Sequence, residues 1–334
     1  MTDRIILKDP YDMHIHFREG AMLDLVAPLS AETFSGGIIM PNLVPPVDNM
    51  ERLVNYIDEI DKSIKGHNFT PFMTIFFKKY SREFLESVKG KIKAIKLYPA
   101  GATTNSDEGI KEIEDAFETL RIMEELGIPL LVHGETHGFV MDREKEFLSI
   151  YSHLATEFPK LMIVMEHITT AAAVELLDKH DNLFATVTLQ HLCITLDDVV
   201  GGLMQPHNFC KPIAKRPEDK SALLNAALST HPKLSFGSDS APHPIDKKEA
   251  AYCSAGCFTS PFALQYLADI FESNGKLDNL QKFVSDNAVK NYKLSRSNKT
   301  VTLVRGEFVI PEKYGNVVPF NSGKKLNWKI EEVS

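Results

Sequence analysis

His14 and His16 flank a single residue in the run Tyr11-Asp12-Met13-His14-Ile15-His16. Alternate side chains of an extended chain point to the same side, so both imidazoles can reach one metal ion. An isolated pair of this kind is more often two half-exposed strand residues. Here four further groups stand at the ends of other apolar runs. Lys96 lies in Ala94-Ile95-Lys96-Leu97, His133 follows Pro129-Leu130-Leu131-Val132, His167 follows Met162-Ile163-Val164-Met165-Glu166, and Asp239 follows Phe236-Gly237-Ser238. Taken singly, each has a structural explanation: a hydrogen-bonded histidine, a lysine reaching out to water, an aspartate in a turn. Their recurrence at the same end of successive runs favours a metal centre. Neutral imidazoles and carboxylates with open positions are the usual makeup of catalytic zinc, and His133 with His167 suits a second ion. Lys96 cannot ligate as an ammonium. Buried beside cations, its pKa falls, and the neutral amine can react with carbon dioxide to give a carbamate able to bridge two metals. The segment His133-Gly134-Glu135-Thr136-His137 is not a zincin motif, because Gly134 stands where that motif needs glutamate.

Elements must bring these groups together. Apolar β-type runs at 11–16, 37–41, 70–76, 92–97, 128–133, 161–167, 183–189 and 234–238 alternate with amphipathic stretches. The latter include 50–64, 110–125, 171–179 and 218–228, the last preceded by a loop at 201–216. Thr169 and Thr170 are placed to cap the helix from Ala171, and Gly127-Ile128-Pro129 breaks the helix before the fifth strand. Eight strand–helix units predict parallel pairing and a closed (β/α)8 TIM-type barrel. An open doubly wound sheet is disfavoured by the absence of a glycine-rich nucleotide turn. In a barrel, the strand ends converge on the C-terminal mouth, and no linker or repeat divides residues 1–334, so one domain is expected.

Composition narrows the partners. The 334 residues carry 37 Lys and Arg against 45 Asp and Glu, a formal net charge of −8, which leaves no broad cationic surface for nucleic acid. The longest apolar runs, such as Leu161-Met162-Ile163-Val164-Met165, fall far short of the ~18 residues of a membrane span. Four cysteines are too few for a disulfide scaffold, so reduced, packed thiols in a cytoplasmic protein are expected.

Longer blocks carry a family resemblance. Asp12-Met13-His14-Ile15-His16-Phe17-Arg18, the run Ile95-Lys96-Leu97-Tyr98-Pro99-Ala100-Gly101-Ala102-Thr103-Thr104-Asn105, Glu166-His167-Ile168-Thr169-Thr170, Pro206-His207-Asn208-Phe209-Cys210-Lys211-Pro212 and Asp239-Ser240-Ala241-Pro242-His243 together resemble the compact bacterial dihydroorotases of the amidohydrolase superfamily. The likeness runs almost end to end. It implies a binuclear zinc centre at the mouth of the barrel, with His14, His16 and Asp239 on one ion, His133 and His167 on the other, and carboxylated Lys96 bridging both. It also implies that Arg18 and Asn42 hold a substrate carboxylate beside His243. Lys211 and Ala255 would address the pyrimidine edge, largely through main-chain groups, with His16 and His133 touching the substrate as well. The implied reaction interconverts N-carbamoyl-L-aspartate and L-dihydroorotate plus water, the third step of pyrimidine biosynthesis. It would use zinc-activated water, with Asp239 as general acid and base. A homodimer is expected. Thr103 and Thr104 sit in a polar segment without an apolar anchor, expected to be a mobile loop over the site.

Two rivals are a hydantoinase-like cyclic amide hydrolase and a non-catalytic dihydroorotase-like partner subunit. Arg18 speaks for a carboxylate-bearing substrate, which hydantoin-type rings often are not. A non-catalytic subunit would be expected to have lost ligands, and all six are present. The stretch 311–328 resembles the family but carries no assignable chemistry.

Overall fold

The structure is a computed structural model that describes residues 3–334. Its strands are β1 (Arg4–Lys8), β2 (Tyr11–Ile15), β3 (Gly36–Ile39), β4 (Thr70–Phe76), β5 (Ala94–Leu97), β6 (Leu130–Val132), β7 (Ile163–Met165), β8 (Leu183–Val187), β9 (Leu234–Phe236), β10 (Thr300–Val309) and β11 (Lys325–Val333). Strands β2 to β9 pair in chain order, each parallel to the next. The ring closes just beyond the ends of β2 and β9, where the Asp239 N–H donates to the His14 carbonyl (2.8 Å) and the His16 N–H to the Ser240 carbonyl (3.1 Å). Asp12 reinforces the seam by accepting from the Ser238 N–H (2.8 Å) and hydroxyl (2.5 Å). All eight expected barrel strands are present, and the fold is a (β/α)8 barrel.

Period-two alternation sorts each strand between two cores. Met13, Ile38, Met40, Ala94, Leu131 and Val164 fill the barrel interior, which the helix Asn287–Tyr292 plugs from below. Ile39, Ile95, Leu97, Leu130, Val132, Ile163 and Met165 face outward to the helix layer. Lys96, His133 and Glu166 therefore fall on interior positions one step above Ala94, Leu131 and Val164. In β2 the register slips between Asp12 and Ile15. The slip lets Met13 fill the interior while His14 and His16 turn to the mouth and Ile15 packs outward.

Several boundaries differ from the sequence expectation. β2, β6 and β7 stop at Ile15, Val132 and Met165, so His16, His133 and His167 stand off the ladder. His167 cannot continue a strand, because its φ is +41°. The helix expected from residue 110 starts at Phe117 after a 3-10 turn, Ile113–Ala116. Ile110 is bound instead to the extension of β5, its N–H donating to the Tyr98 carbonyl (2.9 Å). Thr170 does cap Ala171–Leu177, accepting from the Ala173 N–H, and Gly127 ends Phe117–Leu126 with the left-handed φ of +67° that favours glycine. Outside the barrel, β1, β10 and β11 form an antiparallel sheet that the sequence reading did not anticipate. It buries Val301, Leu303, Leu326 and Trp328 in the outer core, which gives the carboxy-terminal stretch a packing role. No helix among the described residues is long and apolar enough to cross a membrane.

Candidate active site

The expected residues meet at the C-terminal mouth. His14, His16 and Asp239 offer ligand atoms that all lie within 4.8 Å of one another. Asp239 Oδ1 is 3.0 Å from His16 Nε2 and 3.4 Å from His14 Nε2. Across the mouth, His133 Nδ1 faces His167 Nε2 at 3.1 Å, and the rings of His14 and His167 stand 5.0 Å apart. Lys96 lies beneath, fully buried, its Nζ without a hydrogen-bond partner. Arg18, Asn42, Thr103, Thr104, Lys211 and Ala255 line the cavity above, joined by Tyr98, Ala241 and Gly256. His243 stands behind Arg18, its Nε2 3.2 Å from the Arg18 Nη2 and 3.0 Å from the Ala255 carbonyl.

Backbone strain marks three of these positions. Arg18 (φ +60°), His167 (φ +41°) and Asp239 (φ +44°) are all left-handed without being glycine. Such conformations cost about 1–3 kcal/mol each and persist where the surroundings over-determine them. For His167 the turn is held on one side by Thr186, whose hydroxyl accepts its N–H (2.8 Å) and whose carbonyl accepts the Ile168 N–H (3.0 Å). On the other side it is held by Glu144, a buried carboxylate that accepts the N–H and hydroxyl of both Thr169 and Thr170.

Acidic side chains absent from the sequence reading orient the histidines. Glu166 Oε2 is 2.5 Å from His14 Nδ1 and accepts from the Thr186 hydroxyl at 2.6 Å. Glu135 Oε2 is 2.7 Å from His133 Nε2. A carboxylate on one ring nitrogen fixes the tautomer and leaves the other nitrogen's lone pair free. For His14 and His133 that free nitrogen faces the centre. Strand parity was the available signal, since Glu166 occupies the interior position above Val164.

Electrostatics keep these groups in ligand-ready form. Burial pushes His16 down to about 3, partly opposed by Asp239. Burial likewise lowers His133 and His167, so these imidazoles are neutral at physiological pH. For Asp239, burial alone would raise the pKa, but His14, His16 and Lys96 outweigh it and hold the carboxyl at about 2. Burial brings Lys96 down to about 8, against the pull of Glu166 and Asp239.

The donor set fits metal. Three donors converge on one point, whereas the carboxylate nearest the pair His133 and His167, Glu135, binds the His133 nitrogen that does not face His167. The buried Lys96 nitrogen, without a hydrogen-bond partner, is a group whose carboxylation would add oxygen donors.

The Thr103–Thr104 segment lies down over the mouth. Asn42 Nδ2 donates to the Thr104 carbonyl (3.0 Å), Asn105 Nδ2 to the Asn42 carbonyl (3.0 Å), and Lys211 Nζ to the Ala102 carbonyl (3.1 Å). Ala102 is itself buried and Ser106 fully so, so the segment is better anchored than its composition implied. The side chain of Lys211, a residue expected to address the ring edge largely through its main chain, reaches this loop.

Comparison with known proteins agrees with the geometry. A family model described as Amidohydrolase matches residues 71–294. Dihydroorotase from Helicobacter hepaticus is 42% identical over 341 residues, covering 99% of each chain. The crystal structure of dihydroorotase from Campylobacter jejuni superposes with a TM-score of 0.94 at 51% identity, again over 99% of each chain. The chain belongs to the dihydroorotase family of amidohydrolases. A more distant dihydroorotase, from Saccharomyces cerevisiae in complex with 5-fluoroorotic acid, gives a TM-score of 0.93 at 34% identity over 99% of each chain. The dihydroorotase fold thus extends over the whole chain, including the three-stranded sheet outside the barrel. All four cysteines are free thiols, with Cys210 and Cys257 buried.

Proposed function

We propose that the protein is a dihydroorotase that interconverts N-carbamoyl-L-aspartate and L-dihydroorotate plus water, and that the whole chain acts as one catalytic unit. The observation that carries this reading is the convergence of five metal-ligand side chains and a buried, partnerless lysine beneath a cavity whose wall bears Arg18. A guanidinium is suited to a carboxylate, and both reactants keep one throughout the reaction. This is also what favours the reading over a simple hydantoinase.

His14, His16 and Asp239 would hold one zinc ion, His133 and His167 a second, with carboxylated Lys96 donating to both. When bound, the ions supply Lewis acidity for the amide carbonyl and acidify a water. The protein's own groups do the rest. Arg18, with Asn42 and His243 beside it, binds and orients the spectator carboxylate, while main-chain groups at Lys211 and Ala255 face the ring edge. In the hydrolytic direction a water oxygen bonds to the ring carbonyl carbon and the carbon–nitrogen bond breaks. Asp239, ionised throughout the physiological range, accepts the proton of the attacking water and returns it to the departing nitrogen. Cyclisation reverses each step and releases water. Thr103 and Thr104 close over the reactants and exclude solvent. A homodimer in the cytoplasm completes the reading, supported by family resemblance and, for the compartment, by the free thiols.

Purified protein should cyclise N-carbamoyl-L-aspartate, most completely at low pH because ring closure consumes a proton. It should turn over a plain hydantoin far more slowly and contain about two zinc ions per chain. Full activity in metal-stripped protein, or a preference for hydantoin, would overturn the reading. Light scattering reads the dimer.

A further inference from the structure

Two loops that wall the cavity meet behind it on a single buried ammonium. Lys248 ends the short helix Ile245–Lys248 and is 3% exposed. Its Nζ donates to the carbonyls of Phe209 (3.0 Å), Ser254 (2.9 Å) and Gly256 (2.8 Å). An ammonium carries three protons, and each has its own acceptor. No carboxylate pairs with this group among the described residues; its hydrogen-bond acceptors are all main-chain carbonyls, and the Phe209 ring lies 5.8 Å away.

The position of the three acceptors gives the arrangement its meaning. Ser254 and Gly256 flank Ala255 on both sides, and Phe209 lies two residues before Lys211. Lys211, Ala255 and Gly256 all line the cavity. The segment Ser254-Ala255-Gly256 has no large side chain that packing could grip. Gly256 is also pressed so close to its neighbour, at φ +148°, that a Cβ there would stand 2.4 Å from the Ala241 carbonyl oxygen. Such a segment can be placed only through its backbone. Lys248 holds two of its carbonyls, and the Gly256 N–H donates to the Phe209 carbonyl (2.9 Å), which Lys248 also holds. The tie continues to His243, whose Nε2 donates to the Ala255 carbonyl (3.0 Å) and whose ring packs beside Arg18, itself held by its Nε donating to the Pro242 carbonyl (3.2 Å).

We propose that Lys248 is a positioning residue for substrate binding: its three hydrogen bonds lock the Phe209–Lys211 and Ser254–Gly256 backbones in the register that addresses the ring edge, and through the Ala255 carbonyl they place the His243 ring beside Arg18. The proposal rests on the dihydroorotase reading for the identity of the ligand. It does not touch the reacting carbonyl, so Lys248 acts on binding rather than on the chemical step.

The test has a control within the molecule. Lys299 is equally buried and donates to three carbonyls, of Ala31 (2.6 Å), Glu32 (3.2 Å) and Phe34 (2.8 Å), yet lines no part of the cavity. Lys248→Met should raise KM for both dihydroorotate and N-carbamoyl-L-aspartate by ~10-fold or more while kcat moves by less than ~3-fold, the signature of lost uniform binding. Lys299→Met should lower the thermal midpoint without moving KM. Amide exchange in Lys248→Met should quicken at 209–211 and 254–256 specifically. That measurement needs no turnover, so it judges the tie even if the wild-type protein proves inactive on these substrates, an outcome that would sink the activity reading instead. Should Lys248→Met fail to fold, Lys248→Gln, which keeps an amide donor, should show the same pattern at smaller amplitude. Unchanged KM and exchange in the Lys248 variants, or an equal KM shift in Lys299→Met, would overturn the proposal.

Discussion

Replacing Glu144 tests whether a residue outside the cavity holds the His167 turn. Its Oε1 accepts from the Thr170 N–H (2.9 Å) and hydroxyl (2.7 Å), and its Oε2 from the Thr169 N–H (2.8 Å) and hydroxyl (2.5 Å). The two hydroxyls can rotate to other acceptors, but the two backbone N–H groups cannot. A buried donor left without a partner costs ~1–3 kcal/mol. Glu144→Gln turns one oxygen into an amide nitrogen facing an N–H, so it should destabilise the protein by ~1–3 kcal/mol. Glu144→Ala orphans both and should lose roughly twice that, ~2–6 kcal/mol. The effect should not stop at stability. His167 sits two residues upstream of Thr169 at φ +41°, a strain of about 1–3 kcal/mol that Thr186 alone would have to hold once Glu144 is gone. The ring should then leave the face of His133, and kcat/KM should fall ~10-fold or more in the Ala variant, with the Gln variant between it and wild type. Urea unfolding of metal-free protein measures the first effect through the midpoint at constant slope, and steady-state kinetics of the zinc-loaded variants the second. A Gln variant with the wild-type midpoint, or an Ala variant with undiminished kcat/KM, would refute the reasoning.

Burial brings Lys96 to about 8, and only its neutral amine, which gains as pH rises through that value, reacts with carbon dioxide. Metal-free protein given 13C-bicarbonate should therefore show a carbamate signal that grows from about pH 7 to about pH 9, absent in Lys96→Ala. That variant should be inactive until a short carboxylate such as acetate restores part of the rate, and a pH-independent signal would contradict the assignment. Asp239→Asn should fold normally yet lose several orders of magnitude in kcat; near-normal turnover would show that another group carries the proton. Changing Thr103 and Thr104 together to Ala should lower kcat by at least ~10²-fold, the scale of one lost oxyanion donor, with zinc content unchanged. Wild-type kcat/KM in both directions would make the loop a simple connector.

Much of this architecture is a local property of the chain. Each barrel strand is a short continuous apolar run closed by a polar residue, and these runs alternate with amphipathic stretches, which locates all eight without a template. Chemistry is legible for the same reason: a histidine or aspartate that ends such a run stands at the mouth once the strands are parallel. Thr170 and Gly127 announce helix ends through side-chain and backbone preferences that act within a few residues. The accessory sheet escaped because β1 and β10 lie nearly the whole chain apart and neither belongs to a strand–helix alternation.

Residue types, their order and the barrel that brings them to one mouth were therefore determined by the sequence, through interactions that act over a few residues. Only the tertiary structure decided which carboxylate faces which histidine. Glu166 meets His14 across 152 residues, and Asp12 meets Ser238 across 226. Glu135, two residues from His133, could as well have faced solvent. It likewise decided that His167 turns inward by a left-handed φ where strand parity would send it out, that Lys211 reaches the Ala102 carbonyl, and that Lys248 gathers three carbonyls from two loops. Polar contacts of this kind carry no periodicity. A buried donor must find an acceptor, but which one it finds depends on the closure of the whole ring and not on its neighbours in the chain.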